Sequence, residues 1–109
     1  MEKYFGVCYY PELYPKEKQE AFIREDIENM RRARFNVVRM AEFCWCLMEP
    51  REGVYDFDWL EEIVDQLGQN GIYTVLCTPT ACQPVWMARR YPETLYVDNL
   101  GVQRSYGGG

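Results

Sequence analysis

Residues 37–50 read V-V-R-M-A-E-F-C-W-C-L-M-E-P, and the prediction of the fold depends on this stretch. It opens as a short apolar, β-branched run, which is typical of a strand buried on both faces. Arg39 and Glu42 lie at and just beyond the predicted strand end, and Trp45 follows them. A buried strand accommodates an arginine only where a carboxylate or a ligand compensates its charge. Because ligands bind at the carboxyl ends of strands in parallel α/β folds, these residues are candidates for a binding site. The alternative is a structural ion pair between Arg39 and Glu42 beneath a loop.

Two further apolar segments flank this stretch and complete a strand–helix–strand–helix–strand pattern. Residues 4–10 and 72–77 are rich in aromatic and β-branched side chains, which predicts the first and third strands. Apolar residues recur at helical spacing over residues 16–33 and 58–70, which predicts a helix in each segment. After the third strand, Pro84 opens a short helical segment that Pro92 stops.

The ends of the two long predicted helices carry different signals. Arg34 follows the first helix at the place where glycine most easily adopts a positive φ, and a positive φ there would cost an arginine about 1 kcal/mol. The second helix ends at Asn70-Gly71, with glycine at the expected position. At its start, Asp58 with Glu61 three residues later predicts a capping box.

The order and spacing of these segments match βαβ units, which occur in two architectures. One is an open doubly wound sheet, and the other is the first part of an eight-stranded barrel. An open nucleotide-binding sheet usually has a glycine-rich first turn, whereas residues 9–12 read Y-Y-P-E. The sequence therefore favours an α/β fold, a partial TIM-type (β/α)8 barrel. It would contain three parallel strands, two connecting helices and a short helix after the third strand.

Length, charge and composition restrict the classes of protein to which the chain can belong. A complete barrel takes about 250 residues, so we expect residues 1–109 to be the amino-terminal part of one incomplete barrel domain. Twelve basic and 17 acidic residues give a net charge of −5, which argues against a nucleic-acid partner. No apolar run approaches the roughly 18 residues of a membrane span, and no signal peptide is recognisable. We therefore predict a cytoplasmic protein without a membrane partner.

The residue types present also limit the chemistry of this segment. It contains no histidine, and its five cysteines, at positions 8, 44, 46, 77 and 82, form no C-x-x-C pair. Their odd number without a secretory signal favours free thiols. We predict no metal site and no cofactor in this segment, and no Ser-His or Cys-His nucleophile.

Six motifs occur in order along nearly the whole chain and resemble the start of glycoside hydrolase family 42, the β-galactosidases. They are G-V-C-Y-Y-P-E (6–12), N-V-V-R-M-A-E-F-C-W (36–45), E-P-R-E-G-V-Y-D-F-D-W-L (49–60), T-P-T-A (78–81), W-M-A-R-R-Y-P-E (86–93) and V-D (97–98). The resemblance implies an eight-stranded barrel and a retaining hydrolysis of terminal non-reducing β-D-galactose residues. Two glutamates carry that reaction, and in the family they follow the fourth and seventh strands, beyond Gly109. No catalytic residue is therefore expected in this chain, which alone should be inactive.

The resemblance also implies roles for residues that are present. Arg39 matches the arginine that hydrogen-bonds the nucleophilic carboxylate in the family, and Glu42 matches the acid of its R-x-x-E-F motif beside the substrate pocket. Trp45 shares a loop with Glu42. Sugar faces stack on aromatic rings, which makes Trp45 a candidate for such a contact together with Tyr9, Tyr10 and Trp86. The alternative for each of these aromatic residues is a place in the core.

Two further expectations concern the full-length parent. Many relatives carry a zinc-binding cysteine cluster, which would follow Gly109, so any structural zinc would belong to the missing part. Family members are often trimeric, which implies a homotrimer. Two other functions stay open: a non-catalytic carbohydrate-binding or interaction remnant, and another retaining glycosidase of the same clan.

Overall fold

The computed structural model describes residues 3–95 and 97–103. The strands and helices in chain order are β1 (Gly6–Cys8), α1 (Lys16–Arg32), β2 (Val37–Met40), α2 (Trp45–Met48), α3 (Asp58–Gln69), β3 (Tyr73–Leu76) and α4 (Val85–Arg90). Short 3-10 turns follow β1 at Pro11–Leu13 and α4 at Pro92–Thr94. The three strands, the two long helices and the short helix after β3 confirm the predicted order, whereas the four-residue α2 was not predicted.

The chain divides into two compact units. The first contains the residues up to Ala41 together with Phe57–Cys77 and holds the sheet, α1 and α3. The second contains Glu42–Asp56 and the residues from Thr78 onward, and holds α2 and α4.

The sheet of the first unit is parallel, with the strands in the order β1-β2-β3. This arrangement confirms the predicted parallel strands and is the one expected for the first three strands of a (β/α)8 barrel. Cys8 lies opposite Arg39, which in turn lies opposite Val75 on the next strand. Gly6 is required where β1 approaches β2, because a Cβ added there would lie 1.6 Å from the carbonyl oxygen of Val37.

The core of the first unit lies on one face of this sheet. Val38 and Met40 of β2 are fully buried, whereas Arg39 between them is exposed. The helices contribute the apolar positions Ile23, Ile27, Met30, Leu60, Ile63 and Leu67 to the buried set. Within the described residues, β2 is buried on one face only, because none of them covers the face that carries Arg39.

Both long helices end in the same hydrogen-bonded turn. After α1, the amide of Phe35 donates to the carbonyl of Met30 at 2.9 Å, and Arg34 has a φ of 63°. The end of α3 repeats this arrangement with Gly71 at a φ of 75°. The turn after α1 therefore does require a positive φ at Arg34, and it places an arginine where the Schellman turn prefers glycine.

The start of α3 differs from the prediction. The N-cap is Phe57, and no side chain caps the helix. Asp58 and Glu61 instead lie inside the first turn, so the predicted capping box is wrong. Both acids remain close to the positive end of the helix dipole, where they are favourable.

Candidate functional site

Arg39 is the candidate that the first unit holds in a defined position. Its Nε donates a hydrogen bond to the Sγ of Cys77 at 3.0 Å. Cys77 directly follows β3, and its backbone amide donates to the carbonyl of Met40 at 3.1 Å. The guanidinium therefore lies at the carboxyl ends of β2 and β3, on the open face of the sheet. A planar guanidinium with its fork of N–H donors matches a carboxylate, which it can bind through two hydrogen bonds.

The backbone is strained directly after β2. Ala41 is fully buried and has a φ of 82°, a left-handed conformation that costs a residue other than glycine about 1 kcal/mol. Such strain persists only where the surrounding structure enforces it, and it concentrates at functional sites. Alanine gives no sequence signal for a positive φ, so this feature could not have been read from the residues.

Tyr9 belongs to a second cluster of the first unit, centred on Asp26. The hydroxyl groups of Tyr9 and Tyr14 both donate to Oδ2 of Asp26, at 2.8 and 2.6 Å. Burial, followed by the hydrogen bond to Asp26, raises the pKa of Tyr9, and the hydrogen bond to Asp26 is the main reason that the pKa of Tyr14 rises to about 12. Because only 7% of Tyr9 is exposed, the geometry favours the core alternative for this residue. Tyr10, the next candidate along the chain, is half-buried.

The second unit holds Glu42 and Trp45. Glu42 is buried, with 9% of its surface exposed. Trp45 begins α2, and its indole Nε1 donates to Oε1 of Glu49 at 3.0 Å. The other carboxylate oxygen of Glu49 accepts from the backbone amide of Gly53 at 2.9 Å. These two hydrogen bonds, the one from Trp45 first, hold the pKa of Glu49 below its usual value.

Trp86 is held by the same residue as Trp45. Its indole Nε1 donates to the backbone carbonyl of Glu49 at 2.8 Å. Trp86 is half-buried and lines an open groove of about 530 Å³ together with Cys46, Pro50, Pro84, Val85, Arg89 and Arg90. Two of the four aromatic candidates, Trp45 and Trp86, therefore lie in the second unit and donate hydrogen bonds to Glu49.

Arg90, one of the residues that line this groove, belongs to a charged cluster. Arg90 forms an ion pair with Glu52, which also accepts a hydrogen bond from the hydroxyl of Tyr91 at 2.7 Å. This bond to a carboxylate raises the pKa of Tyr91.

Two residues with a part in this geometry, Cys77 and Glu49, were missed as site residues by sequence reasoning. Cys77 closes the third predicted strand, at the same edge as Arg39, and that placement could have identified it. Glu49 follows Trp45 by four residues, a spacing that brings side chains together on one helical turn.

In residues 3–95 and 97–103, no group of three or more Cys, Asp or Glu side chains is arranged to hold a metal ion. Among the helices of the described residues, none has the length and apolar character to cross a membrane.

Comparison with known proteins identifies the family. The profile of glycoside hydrolase family 42, described as β-galactosidase, matches residues 8–109. The chain belongs to this family. A β-galactosidase of Thermus thermophilus is 47% identical over 103 residues, which is 94% of this chain and 15% of the relative. Another from Halorubrum lacusprofundi is 42% identical over 102 residues, 94% of this chain and 14% of the relative.

Solved structures show the same likeness to family 42 enzymes. The crystal structure of the β-galactosidase from Rahnella sp. R3 matches with a TM-score of 0.87 and 37% identity, covering 94% of this chain and 15% of that one. The chain therefore spans about 15% of the length of such relatives.

Proposed function

We propose that this chain is the amino-terminal part of a retaining β-galactosidase that releases terminal non-reducing β-D-galactose. The observation that carries the proposal is the family match over residues 8–109. The position of Arg39 at the carboxyl end of β2, on the open sheet face, adds support from the geometry. In this proposal, residues 1–109 are part of a single barrel domain.

The proposed mechanism assigns the bond-breaking steps to two glutamates beyond Gly109. One protonates the leaving oxygen while the other attacks the anomeric carbon, and retaining enzymes hold the two carboxyl groups about 5–5.5 Å apart. Within this chain, Arg39 hydrogen-bonds the nucleophilic carboxylate, and its fixed positive charge keeps that group ionised at neutral pH. The described residues alone are then inactive.

Glu42 and Trp45 support substrate binding in this proposal. The carboxylate of Glu42, which is buried, accepts hydrogen bonds from sugar hydroxyls. Trp45 offers an aromatic face to the sugar, and the hydrogen bond from its indole to Glu49 limits its rotation. The substrate is a β-galactoside, and the proposal includes no cofactor in this segment.

Three properties of the full-length protein complete the proposal. It is cytoplasmic, it assembles as a homotrimer, and any structural zinc is bound by residues beyond Gly109. The segment described here contributes neither a membrane anchor nor a nucleic-acid surface to it.

The test is the hydrolysis of p-nitrophenyl β-D-galactoside by the full-length protein, with the anomer formed first identified by proton NMR. We expect β-galactose as the first product. Arg39→Lys should lower kcat by about 100-fold, because an ammonium cannot reproduce the planar fork. Arg24→Lys, which makes the same change on an exposed face of α1, is the matched control and should keep wild-type turnover.

Other outcomes would contradict the proposal in distinguishable ways. Binding of galactosides without turnover would indicate the non-catalytic remnant. Faster hydrolysis of another β-glycoside would indicate a different glycosidase of the clan, and α-galactose as the first product would exclude retention. Unchanged turnover in Arg39→Lys would remove Arg39 from the mechanism.

A further inference from the structure

Cys77 is held against β2 through both its backbone and its side chain. Its amide donates to the carbonyl of Met40 at 3.1 Å, and its thiol accepts from Nε of Arg39 at 3.0 Å. The thiol is half-buried and forms no disulfide. Its sulfur therefore has a fixed position at the carboxyl end of the sheet, next to the guanidinium.

The hydrogen bond at Nε restricts the orientation of the Arg39 guanidinium. An arginine side chain has several rotatable bonds and loses up to about 2 kcal/mol of conformational entropy when it is fixed. The guanidinium is planar, so an acceptor at Nε fixes the orientation of the plane and of the two terminal nitrogens. Sulfur is a weak acceptor, but a charged donor strengthens the hydrogen bond.

We propose that Cys77 is a positioning residue, which orients the guanidinium of Arg39 toward the carboxylate that it binds during hydrolysis. This inference rests on the proposed function, because it takes Arg39 as the partner of the nucleophile. Cys77 touches neither the sugar nor the reacting atoms in this arrangement. Its contribution therefore passes entirely through Arg39.

Cys8 offers a matched control on the same sheet. It lies opposite Arg39 in the register of β1 and β2, and its thiol is exposed. No described residue forms a hydrogen bond with that thiol. Cys8→Ala thus removes a sulfur from the neighbouring strand without removing the contact at Nε.

The experiment measures kcat and KM for the hydrolysis of p-nitrophenyl β-D-galactoside by four full-length proteins: wild type, Cys77→Ala, Cys77→Ser and Cys8→Ala. Because sulfur is a weak acceptor, loss of this hydrogen bond should have the effect of an ordinary one and lower kcat of Cys77→Ala about threefold to tenfold. KM should change by less than about twofold, because the interaction acts on the nucleophile rather than on sugar binding. Cys77→Ser should recover most of the lost kcat through its hydroxyl acceptor, and Cys8→Ala should keep the wild-type kcat.

A double variant separates positioning from packing. If Cys77 acts only through Arg39, adding Cys77→Ala to Arg39→Lys should lower kcat no further. An additional threefold loss in the double variant, or equal losses in Cys77→Ala and Cys77→Ser, would overturn the inference.

Failure of the inference and failure of the proposed function give different results. An active wild type with unchanged kcat in Cys77→Ala overturns the positioning role and leaves the galactosidase proposal intact. A wild type that hydrolyses no β-galactoside overturns the proposed function and, with it, the inference.

Discussion

Trp45 and Glu49 are joined across one turn by a hydrogen bond from the indole Nε1 to Oε1, 3.0 Å long. The same glutamate accepts from the indole of Trp86 through its backbone carbonyl and from the amide of Gly53 through Oε2. Glu49 thus joins Trp45 and Gly53 through its carboxylate and Trp86 through its backbone carbonyl. The stability of the protein should therefore depend on the ionisation of the Glu49 carboxylate.

Glu49→Gln should destabilise the protein in a pH-dependent way. Hydrogen bonds to the carboxylate hold the folded pKa of Glu49 below its ordinary 4.5. Its contribution to stability is therefore fully present above pH 4.5 and is lost as the pH falls through the lowered folded value. We expect the difference in Tm between wild type and Glu49→Gln to be largest near neutral pH and to shrink below pH 4.5.

The matched control for Glu49 is Glu28→Gln. Glu28 forms an exposed ion pair with Arg32 at 3.4 Å, and such pairs contribute at most about 1 kcal/mol. A Tm difference for Glu49→Gln that does not vary with pH would contradict the ionised role of Glu49.

Gly6→Ala should disrupt the pairing of β1 with β2. The new Cβ would lie 1.6 Å from the carbonyl oxygen of Val37, and backbone must move to accommodate it. We expect a loss of more than about 2 kcal/mol in the free energy of unfolding, measured by urea denaturation. Gly68→Ala is the control: no atom lies within 4 Å of its added Cβ, and alanine within helix α3 should stabilise by about 0.5–1 kcal/mol. Equal effects of the two changes would refute this reading of Gly6.

Arg34→Gly should stabilise the turn after α1. Arg34 has a φ of 63°, and relief of the Cβ strain there is worth about 1 kcal/mol, partly offset by the greater freedom of glycine in the unfolded chain. The net gain should raise the urea midpoint. Gly71→Ala makes the reverse change in the same kind of turn, at a φ of 75°, and should lower it. A midpoint lowered by Arg34→Gly would indicate that the arginine side chain contributes more than its backbone strain costs.

Tyr14→Phe should reduce the sensitivity of the protein to alkaline pH. The hydrogen bond to Asp26 raises the pKa of Tyr14 from 10.0 to about 12. The stability that it contributes is fully present below pH 10 and is lost as the pH rises toward 12. Wild type should therefore lose more unfolding free energy than Tyr14→Phe over this range, measured by urea denaturation at each pH. Parallel pH profiles for the two proteins would show that this hydrogen bond does not contribute to stability.

The sequence predicted the long helices well because their apolar periodicity extends over several turns. The first helix was expected over residues 16–33 and is observed at Lys16–Arg32. The first strand was expected over residues 4–10, but regular pairing is confined to Gly6–Cys8. Hydrogen bonds to neighbouring backbone still continue at both ends, from Asn36 to Phe5 and from Tyr9 to Arg39. The limits of a strand depend on its partner, which the local sequence does not contain.

The candidate site was predictable only in part. The position of Arg39 at a strand end was predictable, because an apolar β-branched run directly precedes this charged residue in the sequence. Its bond to Cys77 joins residues 38 positions apart and depends on the register of β2 and β3, which periodicity does not fix. The strain at Ala41 arises from the path of the chain and leaves no trace in the residue type.

The arginine at the turn after α1 also has a consequence for protein evolution. Every arginine codon differs from a glycine codon by a single nucleotide, so Arg34→Gly lies one mutational step away. Random mutagenesis in a laboratory selection for heat tolerance therefore samples this exchange as a single-nucleotide change, whereas coordinated changes in the core need several mutations at once.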